Sequence, residues 1–164
     1  MTDIVVGKAL ERTYNGLPGT LNSADCKVGS LLVHRQILIK GNYKFSRDGG
    51  AITTPIALKD EQGNPITLPA GLIVKDGLIV VKTGVTSGGS ATYSLGIAGG
   101  AEFKSAAALT TIDVADERTL LIPLSATAST AVIVGTAGLF TITIATDTFI
   151  GGELDVFLEC YYRE

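Results

Sequence analysis

The chain has 164 residues, of which 46% are hydrophobic, 18% charged and 6% aromatic, with 20 glycines, no tryptophan and a formal net charge of −3. A length of this order holds one domain with its own core, burying roughly 70% of the surface that the unfolded chain exposes. The weak negative charge argues against nucleic acid as a direct partner, because binding to phosphate backbones rests on clustered Lys and Arg.

The apolar content is Val, Ile, Leu and Ala rather than large rings, and glycine is abundant. That composition suits a β-sandwich or barrel, with glycine supplying turns and bulges. No apolar run approaches the ~20 residues of a membrane span, and the start Met1-Thr2-Asp3-Ile4 lacks the basic flank and long apolar stretch of a signal peptide. The expectation is a protein made and kept in a cytosol, with no membrane partner.

Residues Met1 to about Ser30 mix short apolar clusters with turn formers such as Asn15-Gly16-Leu17-Pro18-Gly19 and sustain no period. They read as an extended N-terminal arm over 1–30, leaving 31–164 as the β-sandwich domain. Ile4, Val5, Val6, Leu10 and Leu17 must be covered somewhere, across the chain's own sandwich or on a neighbouring subunit, and are interface candidates.

From Leu31 to Lys40 the alternation is that of a strand, with Leu31, Val33, Ile37 and Ile39 on one face and His34, Gln36, Leu38 and Lys40 among those on the other. Gly41-Asn42 and Asp48-Gly49-Gly50 bracket a second short strand from Tyr43 to Arg47, as in a hairpin. Asp60 to Pro65 is a polar loop. Leu68 to Thr83 is the most apolar stretch, and two accounts compete there. Asp76-Gly77 signals a type I′ hairpin, whereas a single long strand buried on both faces with a Gly bulge fits equally well. The single strand is preferred, because the arms of such a hairpin would have almost no polar face.

Gly84 to Ser90 is a loop leading into a strand from Thr92 to Ile97, with pairing expected across it. Ala101 to Leu109 has the best helix propensity of the chain and is predicted as one short crossover helix. Beyond Thr119 strands are predicted at Leu120–Ile122, Ala131–Val134, Phe140–Ala145 and Gly152–Tyr162. In the last of these Leu154, Val156, Leu158 and Cys160 face inward and Glu153, Asp155, Phe157, Glu159 and Tyr161 outward. About eight strands without a βαβ rhythm give an all-β, antiparallel sandwich of jelly-roll type. Phe157 and Tyr161 among acids are either a partner surface or lie beneath the arm.

The search for chemistry finds no catalytic, cofactor or metal site. His34 is the one histidine, and no Gly-x-Ser-x-Gly elbow is present, so a hydrolase triad lacks its parts. Asp113, Asp116 and Glu117 form the densest acidic cluster, but no rings line up to hold a sugar and the spacing is not that of a calcium loop. A solvated loop is the better reading. Cys26 and Cys160 match neither a redox pair nor a zinc framework; both are expected as free thiols, with Cys160 a buried hydrophobe. The pairs Gly49-Gly50, Gly88-Gly89, Gly99-Gly100 and Gly151-Gly152 sit in no phosphate-binding motif and read as turn glycines.

Leu68-Pro69-Ala70-Gly71 opening a long apolar strand, Thr86-Ser87-Gly88-Gly89 before Tyr93-Ser94-Leu95-Gly96-Ile97, and the segments Phe140 to Ala145 and Gly151 to Glu159 together resemble the decoration, or cement, proteins of tailed bacteriophage heads. The resemblance covers roughly Leu68 to Tyr162. It implies a homo-oligomer, commonly a trimer, on the outer surface of the capsid, bridging major capsid subunits and carrying no catalytic residues. It also implies synthesis in a bacterial host, and it favours the single strand through Asp76-Gly77. Similar strand patterns occur in phage tail and fibre proteins, which makes a receptor- or sugar-binding tail module the alternative; a small β-fold enzyme is the third reading.

Overall fold

The computed structural model describes residues 36–121 and 131–162. Within them the chain forms ten strands, β1 (Gln36–Lys44), β2 (Ile56–Ala57), β3 (Thr67–Leu68), β4 (Leu72–Ser87), β5 (Thr92–Ile97), β6 (Lys104–Ala108), β7 (Arg118–Leu120), β8 (Val132–Ile133), β9 (Gly138–Ala145) and β10 (Phe149–Tyr162). One α-helical turn, α1 (Phe45–Asp48), follows β1. The named strands pair antiparallel throughout, in two five-stranded sheets. One runs β1-β10-β4-β7 with β8 also on β4; the other runs β2-β9-β5-β6 with β3 also on β9.

Period-two patterning builds the core. Leu154, Val156, Leu158 and Cys160 of β10 and Leu72, Val74, Ile79 and Val81 of β4 face inward from the first sheet, as do Tyr93 and Leu95 of β5 and Phe140, Ile142 and Ile144 of β9 from the second. All belong to one buried cluster, so the fold is an antiparallel sandwich, as the alternation predicts. Two edge-to-face ring pairs lie within it, Tyr43 with Phe149 and Phe103 with Phe140.

The stretch from Leu72 to Ser87 is indeed a single strand, with its irregularity beside Gly77. Glu159 pairs with Asp76 and Cys160 with Val74, which leaves Lys75 as an extra residue. Without that bulge the alternation set by Ile79 and Gly77 would drive Lys75 and Ile73 into the core. With it, Leu72 and Val74 take the inward places. Gly77 faces inward, where a Cβ would lie 2.9 Å from both Leu121 Cδ1 and the Phe157 carbonyl oxygen. The outward residues Ile73, Leu78 and Val80 are half-buried, so the strand is not buried on both faces.

Several local expectations are corrected. The chain does not turn at Gly41-Asn42: β1 runs unbroken through them, paired with β10 from Gln36 opposite Tyr161 to Lys44 opposite Glu153. Phe45 to Asp48 is helical rather than extended, because the Asp48 carboxylate accepts the Lys44 N–H at 3.0 Å and closes the turn. The helix predicted over Ala101–Leu109 is absent. Lys104–Ala108 is β6, paired with β5, and only Leu109–Thr111 makes a 3-10 turn. Two helical turns of alanine are marginal alone, whereas the β5 edge offers backbone partners and Phe103 anchors the segment by full burial against Phe140.

The loop after β4 carries the chain from one sheet to the other, so β4 and β5 do not pair. Gly151-Gly152 lies inside β10 at a register irregularity rather than in a turn, with Gly152 at φ +117°. The proposed arm, with Ile4, Val5, Val6, Leu10, Leu17 and Cys26, lies outside the described residues, as does His34.

Candidate interaction surface

The outward face of the β1-β10-β4-β7 sheet divides into a charged half and an apolar half. At the charged end, Asp155 of β10 accepts a hydrogen bond from Asn42 Nδ2 at 2.8 Å and lies 3.4 Å from Lys40 Nζ and 3.5 Å from Lys82 Nζ. Glu153, next outward on the same strand, pairs with Lys44 at 2.9 Å and Lys82 at 3.5 Å. Below them the fully buried Asp48 side chain is gripped by Arg47 at 2.6 Å and Lys59 at 2.7 Å.

Burial by itself would raise the Asp48 pKa, but hydrogen bonds from Arg47, Lys59 and the Lys44 N–H outweigh it and hold the carboxyl below its ordinary value. Glu153 is lowered too, chiefly by its hydrogen bond from Lys44. Glu153 and Asp155, with the basic side chains around them, line a depression of about 340 Å³. Lys40, Lys44, Arg47, Lys59 and Lys82 each have a carboxylate within 4 Å. The cations are already matched, so the depression presents no surplus charge to an anion.

The apolar half begins one row along. Phe157 of β10 lies opposite Leu78 of β4, and Leu78 opposite Leu120 of β7, so three apolar residues form a row across three strands. Leu38 of β1, opposite Glu159, closes the end. Together with Asp76, Gly77 and Glu159 these residues line a groove of about 450 Å³. Leu38 is 68% and Leu120 69% exposed, which is unusual for leucines that share one groove. A further row continues it, with Tyr161 opposite Ile73 and Ile73 opposite the 54% exposed Ile133.

The groove has an acidic rim. Glu159 accepts from Gln36 Nε2 and from Lys75 Nζ. Asp76 accepts the Gly77 N–H at 2.8 Å, and among the described residues no cation lies within 4 Å of it.

Of the predicted interface residues, Phe157 lies in this groove and Tyr161 two places further along the same side of β10. Leu38, Leu78 and Leu120 were missed. Their trace in the sequence is the apolar residue Leu38 in the polar phase of β1, and a β4 with almost no polar phase. Asp113 and Asp116 are exposed, and among the described residues no group of three or more His, Cys, Asp or Glu is placed to hold a metal ion. Cys160 is a free, buried thiol whose pKa burial pushes up to about 11. Among the described residues no helix is long and apolar enough to cross a membrane.

No protein-family model matches the chain, and no curated protein matches its sequence. Its fold recurs in two phage capsid structures. One is the cyanophage Pam1 capsid asymmetric unit, where a chain superposes with a TM-score of 0.57 at 17% identity over 89% of this chain and 100% of that one. The other is the acid-stable capsid of Helicobacter pylori bacteriophage KHP30, with a TM-score of 0.52 at 13% identity over 80% of this chain and 92% of the other. At these identities the likeness is one of fold.

Proposed function

We propose that this chain is a structural virion protein, without enzymatic activity, that decorates and stabilises the capsid of a tailed bacteriophage. It assembles as a trimer on the outer surface and bridges major capsid subunits. The observation that carries the reading is the recurrence of this fold, over 80% and 89% of this chain, in chains of two phage capsids. The Pam1 match takes in the whole of the other chain and 89% of this one, so that chain is of comparable, one-domain size.

The strand order supports the same reading. Setting aside β3 and β8, the strands run first, last, third, sixth in one sheet and second, seventh, fourth, fifth in the other, which is the order of a jelly roll built from two Greek keys, an architecture used in capsids. The outward apolar face adds a surface suited to subunit contacts. Three linked copies of a weak shell contact raise the effective concentration of each and slow release, which is how a small domain could brace a shell.

The test is reconstitution. Purified protein is added to capsids assembled without it, occupancy is read by electron cryomicroscopy, and the mass of the free protein is read by light scattering. Saturable density at fixed positions on the outer shell, from a trimer, is the expected result. No binding to particles, with signal on a glycan array instead, would overturn it in favour of a tail-associated receptor- or sugar-binding module.

A further inference from the structure

We propose that the helical turn α1 is a latch, closed by the Asp48 carboxylate and released by acid while both sheets stay paired. The latch is built within one copy and does not depend on the capsid reading.

Asp48 ties three pieces of chain together. Its fully buried side chain accepts four hydrogen bonds: from Arg47 Nε at 2.8 Å and Nη2 at 2.6 Å, from Lys59 Nζ at 2.7 Å in the segment after β2, and from the Lys44 N–H at 3.0 Å at the end of β1. Arg47 Nη2 also donates to the Asn42 carbonyl at 2.8 Å, which draws the turn back onto β1. Little else holds it. Phe45 is only partly buried against the core, α1 has no side-chain N-cap, and one backbone bond, from the Gly49 N–H to the Phe45 carbonyl, closes it. A single helical turn is unstable by itself.

The neighbouring anchors do not use the carboxylate. Fully buried Tyr43 donates to the Gly49 carbonyl at 2.7 Å, the Phe149 N–H donates to the Gly50 carbonyl, and the Asn42 and Lys59 backbones exchange hydrogen bonds at 2.8 and 3.1 Å. Release is thereby confined to Lys44–Asp48 and the Lys59 side chain.

Protonation has a definite effect at this place. The carboxylate is the shared anion of two cations, and a neutral carboxyl leaves Arg47 and Lys59 together in a partly desolvated site, where unpaired charge is costly. Both have a way out, with side chains 32% and 24% exposed. The other groups around them do not make good the loss. Glu153 of β10 acts on Arg47 but is already taken by Lys44, and the Tyr43 phenol is kept neutral by burial. Because Asp48 titrates below its ordinary value, the latch is closed at neutral pH and opens as pH falls through the lowered value.

Amide hydrogen exchange in the full-length protein, read by NMR and corrected for the intrinsic pH dependence of exchange, tests this. The Lys44 and Gly49 N–H groups report the latch, and Val156, in the middle of β10 between two paired strands, reports the sheets. Between about pH 6 and about pH 3, protection at Lys44 and Gly49 should fall on the order of tenfold to a hundredfold, the worth of one charged hydrogen bond. Mild urea should not speed that exchange, because a local opening exposes little surface, and Val156 should stay protected.

Asp48→Asn should show the open-latch exchange already at neutral pH, and Glu153→Gln should keep the acid response; the wild-type titration stands without either variant. Three results would overturn the proposal: protection at Lys44 and Gly49 that persists to about pH 3, its loss only together with that of Val156 and with urea dependence, or an acid response that Asp48→Asn keeps and Glu153→Gln removes.

Discussion

Replacing Gly152 by alanine separates two costs that most glycine substitutions confound. Gly152 sits inside β10 at φ +117°, and a Cβ there would lie 2.6 Å from Val85 Cα and 2.8 Å from Val85 Cγ2. Gly63, in the Asp60–Asn64 turn, has φ +89° but nothing within 4 Å of its Cβ position. Both substitutions carry the backbone strain of a side chain at positive φ, ~1–2 kcal/mol. That strain is offset in part by the reduced entropy of the unfolded chain, ~0.4–1 kcal/mol. Gly63→Ala should therefore lose only about 1 kcal/mol. Gly152→Ala adds overpacking against backbone that no rotamer change relieves, a further ~1–3 kcal/mol, for a net loss of about 3 kcal/mol. At roughly 2–4 °C per kcal/mol, Gly63→Ala should lower Tm by about 3 °C and Gly152→Ala by about 9 °C. Reversible thermal unfolding followed by circular dichroism reads both. Equal shifts would show that the Val85 approach costs nothing and that φ alone decides.

Truncation of the fully buried Leu158 to alanine should cost ~3 kcal/mol, read by urea denaturation, because the packed sheets limit collapse of the cavity. Asp48 and Glu153 have pKa values below their ordinary 3.8 and 4.5. Groups held low in the folded state stabilise it fully above those ordinary values, and the contribution is lost as pH falls through the lowered ones. Stability should therefore decline on acidification below about pH 4, and Asp48→Asn should flatten part of that decline in an acid titration of unfolding free energy. The Cys160 thiol, raised to about 11 by burial and then by Glu159, is thiolate in on the order of one molecule in a thousand at pH 8. In the Cys26→Ser protein a thiol reagent should label it only as fast as the chain unfolds; labelling at the rate of a free cysteine would contradict its burial.

The Leu154–Cys160 stretch of β10 is legible residue by residue, because it alternates without a break and one face of an antiparallel strand is core. The errors fall where tertiary pairing overrides local preference. Alanine-rich Lys104–Ala108 reads as helix from its own residues, yet the edge of β5 supplies a ladder and Phe103 a buried anchor, neither visible within a nine-residue window. Gly41-Asn42 reads as a turn because glycine and asparagine usually make one, but the pairing that carries β1 straight through comes from β10, more than a hundred residues later.

The interaction surface was half legible for a related reason. Patterning tells which residues need cover and is silent on whether the cover lies in the same chain. The near absence of a polar phase in β4 reads as burial on both faces. In the structure one face packs in the core, and the other places Leu78 between Phe157 and Leu120 in a groove that the described residues leave open. Leu38, apolar in the otherwise polar phase of β1, completes that groove. An isolated exposed leucine needs no explanation. Four apolar side chains brought to one place from four strands distant in sequence do, because exposing them together invites association that a monomer would be selected against. The sequence can hold that signal only as scattered exceptions to alternation, and it becomes a surface once the register of β1, β10, β4 and β7 sets the exceptions side by side.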